Sequence, residues 1–258
     1  MIVDSHCHVG INWYEPVETL LHHMDSNGVE RAVLVQSLGQ FDNTYQAECV
    51  ARYPERLASI VHINIEDADA PTTLTREVGR GAVGIRLRPP VGSSCNQVQF
   101  WELAEELNIT VSCVGTAEEF ASAEFRALLE RLPNLSVVIE HLGNLQSNCD
   151  MTITSSVLSL GKLPNAYMKF HGLSEYTRKA LPKSEDGFPF ETPVPPLMLN
   201  ALDAFGAEKL MWGSDWPIVS MREGYRNALR WPRDILESRG ESLVDSSFGG
   251  VAHRMYWR

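Results

Sequence analysis

Two histidines one residue apart, His6 and His8, and a carboxylate near the far end of the chain, Asp215, are the residues here best suited to chemistry. The opening stretch, Met1-Ile2-Val3-Asp4-Ser5-His6-Cys7-His8, begins apolar and reads as a β-strand. On a strand, residues i and i+2 face the same side, so both imidazoles can converge on one metal ion or one substrate oxygen. The bland alternative is a pair of polar residues at a strand end. A second apolar run, Leu210-Met211-Trp212-Gly213, leads through Ser214 to Asp215. A carboxylate that takes a proton from water, beside groups that stabilise an oxyanion, is the equipment of hydrolysis. A metal ion would supply both effects, lowering the pKa of bound water to about 7. Without one, a carboxylate and a cluster of imidazoles with a guanidinium could serve an activated ester.

The remaining chain must bring these ends together. Short apolar runs predict strands at 31–36, 57–63, 82–87, 109–114, 135–141, 166–171 and 209–214, besides the first. Between them, helical spacing is read at 16–27, 44–53, 69–80, 97–107, 117–132, 152–160 and 196–205, with two final helices at about 223–238 and 241–255. Eight strands alternating with helices over 258 residues predict an α/β chain folded as one domain, 1–258, a distorted (β/α)8 TIM barrel. An open doubly wound sheet is the runner-up, but no GxGxxG follows the first strand.

In such a barrel the C-terminal strand ends form one ring around a mouth. Five of the eight histidines, His6, His8, His62, His141 and His171, fall at or near predicted strand ends, with Arg86, Arg88 and Asp215. His22, His23 and His253 fall on helices and read as surface or packing residues. Arg86 and Arg88 share strand parity, so one barrel interior could hold both, or Arg88 could end its strand in solvent before Pro89. Lys169 and His171 share parity on the seventh strand. Gln36, at the end of the second, could donate to substrate on position alone.

Composition narrows the partners. The net charge of −11, without a basic run to offset it, argues against nucleic acid. No apolar stretch reaches eighteen residues, and Met1 leads straight into the first strand, so neither a membrane span nor a secretory signal is expected. Five scattered cysteines make no disulfide framework, which suits a reducing cytoplasm.

His6-Cys7-His8 after Val3-Asp4, Gly84-Ile85-Arg86, Ile139-Glu140-His141-Leu142-Gly143 and Trp212-Gly213-Ser214-Asp215-Trp216-Pro217 together resemble the amidohydrolase superfamily, in its amidohydrolase-related (type 2) branch. That branch holds sugar lactonases, the 2-pyrone-4,6-dicarboxylate lactonase and the aminocarboxymuconate-semialdehyde decarboxylase type. The resemblance implies a hydrolase opening a lactone or related cyclic ester of a small carboxylate or sugar acid. It implies Asp215 as general base, His141 as a polarising or protonating group, and His6 and His8 with Asp215 either as ligands of one divalent metal, zinc favoured, or as metal-free catalytic groups. Arg86 would hold a substrate carboxylate or ring oxygen, with Arg88 and His171 as further substrate contacts. The branch's decarboxylases place a histidine ligand on the fifth strand, where this chain reads Ile109-Thr110-Val111-Ser112-Cys113-Val114-Gly115. That counts against the decarboxylase alternative, leaving Cys113 as a zinc ligand or a small core residue. Retention of His6, His8, His141 and Asp215 together counts against a non-catalytic binding protein.

One loop stands apart. Between Pro182 and Pro196 five prolines fall within fifteen residues, with Gly187, Phe188 and Phe190 among them. The loop 173–196 is long for a βα connection. It is expected to cover the mouth and set an aromatic ring against a small-molecule substrate. The competing expectation is a contact between copies in a homo-oligomer.

Overall fold

Eight short apolar runs form eight parallel strands: β1 (Val3–Cys7), β2 (Arg31–Val35), β3 (Leu57–Val61), β4 (Ala82–Leu87), β5 (Thr110–Cys113), β6 (Val137–Ile139), β7 (Ala166–Phe170) and β8 (Leu210–Trp212). They follow one another around a single sheet in sequence order. The computed structural model describes residues 1–92, 97–183 and 187–257. Side chains buried on both faces explain why the strands read as continuous apolar runs rather than alternating ones. The sheet closes where β8 runs into β1: Asp215 N–H donates to His6 O at 2.8 Å and His8 N–H to Trp216 O at 2.7 Å. The (β/α)8 barrel expectation is met.

Inside, the barrel is layered. Val3, Val33, Val35, Ala58, Ile60, Val138 and Met211 pack with Val251, Ala252, Met255 and Tyr256 of the C-terminal helix Val251–Tyr256, an apolar floor. A second, larger apolar cluster fills the space between the strands and the surrounding helices. Each fully buried Val, Leu or Phe in these clusters contributes about 1.5–3 kcal/mol. Polar interior residues from β4 to β7, namely Arg86, Ser112, Glu140 and Lys169, are buried with His6.

Two local departures from the sequence expectation have clear causes. The helix expected at 117–132 is two, Ala117–Ala121 and Ala123–Arg131. Ser122 takes an extended conformation between them and its Oγ accepts from Phe125 N–H, so a capping residue overrides helix propensity. The strand expected to end on His141 stops at Ile139, because His141, Leu142 and Asn144 adopt positive φ with Gly143 in a tight turn. Among the described residues no helix is long and apolar enough to cross a membrane. Cys7, Cys49, Cys113 and Cys149 are free thiols, and Cys95 lies outside the described residues.

Candidate active site

The barrel seam carries the principal catalytic candidates. Asp4 staples it: one carboxylate oxygen accepts from Ser214 N–H at 2.8 Å and from His6 N–H at 3.2 Å, the other from Tyr225 Oη–H at 2.9 Å. Gly213 lets β8 pass close, since a Cβ there would meet the Cβ of His6 at 2.6 Å. This places His6 Nε2 at 3.9 Å and His8 Nε2 at 3.5 Å from Asp215 Oδ1, all three residues buried. Asp215 is held at φ 58°, a region that costs a non-glycine residue energy and is common at functional sites. Burial would raise the Asp215 pKa, but its neighbours, above all the imidazole of His8 and the charge of His141, outweigh it. The carboxyl is held well below the usual range, hence ionised.

The imidazoles differ in role. His8 Nδ1–H donates to Val35 O at 2.6 Å, which turns Nε2 toward Asp215. His171 Nδ1–H donates to Gly213 O at 2.8 Å, and burial lowers its pKa to about 4, so it is a neutral acceptor at Nε2. His141, also at positive φ, is the charged one. Burial opposes its charge, but Glu175 Oε1, 2.6 Å from Nδ1, raises its pKa to about 9. Arg222 joins the two carboxylates, 3.0 Å from Asp215 Oδ2 and 3.4 Å from Glu175 Oε1. The rings of His141 and His171 lie 4.2 Å apart, and His6 stands about 5 Å from each of the other three.

Beneath this cluster lies a buried polar chain. Arg86 pairs with Glu140, Nη2 to Oε2 at 2.7 Å, and its Nη1 donates to Gln36 O at 3.0 Å. Ser112 Oγ–H donates to Glu140 Oε1 at 2.7 Å, and Lys169 Nζ donates to Ser112 Oγ at 3.1 Å. Burial would raise the Glu140 pKa, but Arg86 and Lys169 hold it near 2, and burial lowers Lys169 to about 8.

The sequence candidates thus divide. His6, His8, His141, His171 and Asp215 meet in one cluster. Arg86 lies beneath it with its charge matched by Glu140, a partner the sequence reading did not give it. Arg88 is exposed and pairs with Glu119 at 3.4 Å, outside the barrel interior. His62 donates through Nδ1–H to Arg86 O at 3.2 Å. The Gln36 amide is taken up by its own loop, donating to Asp42 O and accepting from Ser37 N–H. Cys113 is packed in the apolar cluster with its thiol pushed up by burial, and it belongs to none of the metal-competent groups among the described residues. The aromatics of the loop 173–196 also depart from expectation: Phe188 packs against Phe190 and against Trp231 on the helix Tyr225–Glu237, not into the cluster. The same loop instead delivers Glu175 from its first turn.

Glu175 and Arg222 are the residues that sequence reasoning missed, and Glu140 and Lys169 were named there without a role. Two left a signal, because a charge inside an apolar strand run, as at Glu140 and Lys169, requires a partner of opposite charge or an acceptor across the barrel.

The donor set suits a divalent cation. His6 Nε2, His171 Nε2 and Asp215 Oδ1 are buried without hydrogen-bond partners, and two acceptors as close as His8 Nε2 and Asp215 Oδ1 call for a shared proton or cation. Ligand atoms of His6, His8 and Asp215 lie within 4.8 Å of one another, as do those of His6, His141 and His171. His141, held as an imidazolium, is the poorer ligand. Lys169 Nζ lies 3.4 Å and Glu140 Oε1 3.9 Å from His6 Nδ1, so ligation through Nε2 requires the ring proton on Nδ1, on the side of the Glu140 carboxylate.

Comparison with known proteins agrees with this architecture. The chain is 26% identical over 230 residues to the 4-sulfomuconolactone hydrolase of Rhizobium radiobacter, covering 85% of this chain and 70% of that protein. It is 26% identical over 222 residues to the L-fucono-1,5-lactonase of Burkholderia ambifaria, covering 80% and 71%. The crystal structure of an amidohydrolase from Burkholderia multivorans with bound zinc superposes with a TM-score of 0.78 at 18% identity, covering 100% of this chain and 99% of that one. A family model described as amidohydrolase matches residues 4–257, from the aspartate that staples the seam to the last helix, and the chain belongs to that family.

Proposed function

We propose that this protein is an enzyme, a hydrolase that opens a lactone. The observation that carries the reading is the ionised, unpartnered Asp215 Oδ1, set in one cluster with the neutral His171 and the His141 imidazolium. Asp215 takes a proton from the attacking water. His141, the proton donor of the cluster, gives a hydrogen bond or a proton to the oxygen that gains charge as the ring opens. Glu175 keeps His141 charged, and Arg222 holds both carboxylates in place. His171 presents an acceptor nitrogen that orients the water. A divalent ion held by His6, His8 and Asp215 would supply further stabilisation at the carbonyl oxygen. The relatives named as lactone hydrolases support this reading. The test is Asp215→Asn assayed on a lactone panel, with metal content measured and chelator controls run. Loss of kcat by about 10²–10⁴ with an unchanged fold is expected for removal of a general base. Near-wild-type turnover in that variant would overturn the mechanism.

A further inference from the structure

Glu175, whose carboxylate keeps His141 charged, rides on a short helical turn, Leu173–Glu175, directly after β7. Within that turn Glu175 N–H reaches Gly172 O at 3.3 Å, a long bond that fixes the backbone weakly. Arg222 draws Glu175 and Asp215 together by charge. Its hydrogen bond to Glu175 Oε1 is long at 3.4 Å, however, and its Nε and Nη2 are buried without one. Neither contact decides where the Glu175 backbone sits.

Glu223 makes the contact that does. Its Oε2 accepts from Ser174 N–H at 2.8 Å, one residue before Glu175. Its Oε1 is buried against Gly172, where a Cβ would collide with it, so a glycine is needed for the carboxylate to lie on the turn. Glu223 is in turn tied to the base. Val219 N–H donates to Asp215 O at 3.0 Å, and Glu223 N–H to Val219 O at 3.1 Å, so residues 215–223 form one backbone-bonded segment. Asn227 Nδ2–H donates to Glu223 O at 2.9 Å and secures its far end. The segment begins on Asp215 and ends on the group that holds the turn of Glu175.

We propose that Glu223 is a positioning residue: by anchoring Ser174 it sets Glu175 on His141 Nδ1, so that one short segment aligns proton donor and base. The inference rests on the lactonase reading for the effect on rate, and on geometry alone for the placing of Glu175. A carboxylate is a costly group at this point. Burial raises its pKa and the nearby charge of Glu175 adds to the rise, against the bond to Ser174 and the charge of Arg222. An apolar side chain would fill the same space without that cost, so the bond to Ser174 is what Glu223 adds.

The test pairs kinetics with proton magnetic resonance of His141 Nδ1–H. A hydrogen bond of 2.6 Å to a carboxylate draws that proton far downfield, and its upfield move in Glu175→Gln identifies it. Glu223→Met keeps the length of the side chain but not the acceptor; it should move the signal upfield and lower kcat about tenfold. Glu223→Gln still offers Ser174 an oxygen, and should retain the signal and a kcat within about threefold of wild type. In the Glu175→Gln background, Glu223→Met should lower kcat by less than about twofold, because the charge it positions is gone. A Glu223 that only stabilised the fold would leave the signal in place and give the same fold-loss in both backgrounds. That result, or a Gln variant no better than Met, would overturn the inference. Should Glu223→Met fail to fold, Glu223→Asp, whose acceptor is drawn back by one methylene, takes its place with the same expected pattern. If wild type turns over no lactone, the proposed reaction falls and the proton signal still decides the placing of Glu175. If lactones are turned over and the signal stays put in Glu223→Met, the reaction stands and this inference falls.

Discussion

At the scale of single residues, the site works by pushing similar groups apart. Four imidazoles share one pocket, yet His171 is held neutral with a pKa of about 4 and His141 charged with one of about 9. Glu175 makes most of that difference. If His141 acts as the protonated form, the rate should fall as pH rises through about 9, because that is where the proton leaves. Glu175→Gln removes the charge that raises the pKa, so the alkaline limb of kcat/KM should shift toward neutral pH; a profile that does not move would exclude this role. Arg86 argues differently. Removing one partner of a buried ion pair leaves the other uncompensated, so Arg86→Met should cost about 3–5 kcal/mol, or roughly 6–20 °C in Tm. The loss should fall alike on turnover of charged and neutral lactones, and a selective loss on charged ones would restore Arg86 as a substrate contact. The Glu140 contribution to stability, with its pKa lowered from 4.5 to about 2, is present above the higher value and lost as pH falls toward the lower.

At the scale of elements, the apolar runs made all eight strands and their order legible. The HxH spacing, read with the far aspartate, made the centre of the site legible too. What stayed hidden depended on direction rather than type. That Arg86 turns to Glu140 follows from a pairing across the barrel interior, and that Glu175 turns to His141 from the path of the loop after β7, and no local pattern encodes either. The loop 173–196 shows the same limit. Its prolines and aromatics suggested a cover over the mouth, but Ala180 N–H pairs with Pro189 O and Glu191 N–H with Arg178 O, folding it back into an arm. Phe188 thereby reaches Trp231 on the flank. Phe188→Ala should therefore cost about 1–3 kcal/mol of stability and leave KM and kcat near wild type. A changed KM at full stability would return the ring to the substrate.

At the scale of the whole molecule, the seam between β8 and β1 decides when this protein becomes active. Asp4 and Ser214 are 210 positions apart, and closing a loop of that length unaided costs about 5 kcal/mol. Neighbouring strands spread that cost, each shortening the gap that the next must close. The join between first and last strands is then the end of a long sequence of local steps, and it is the join that sets His6 and His8 beside Asp215. An open, partly wound sheet would carry nearly all the helix and strand content of the native chain and no assembled centre. During refolding from denaturant, the far-ultraviolet dichroism should therefore recover first. Catalysis should return later, together with the fluorescence change of Trp216, which is buried at the join. Simultaneous recovery of both signals would show that the sheet closes as it forms. If catalysis lags, enzymatic activity in this fold doubles as a clock for the joining of the chain's two ends.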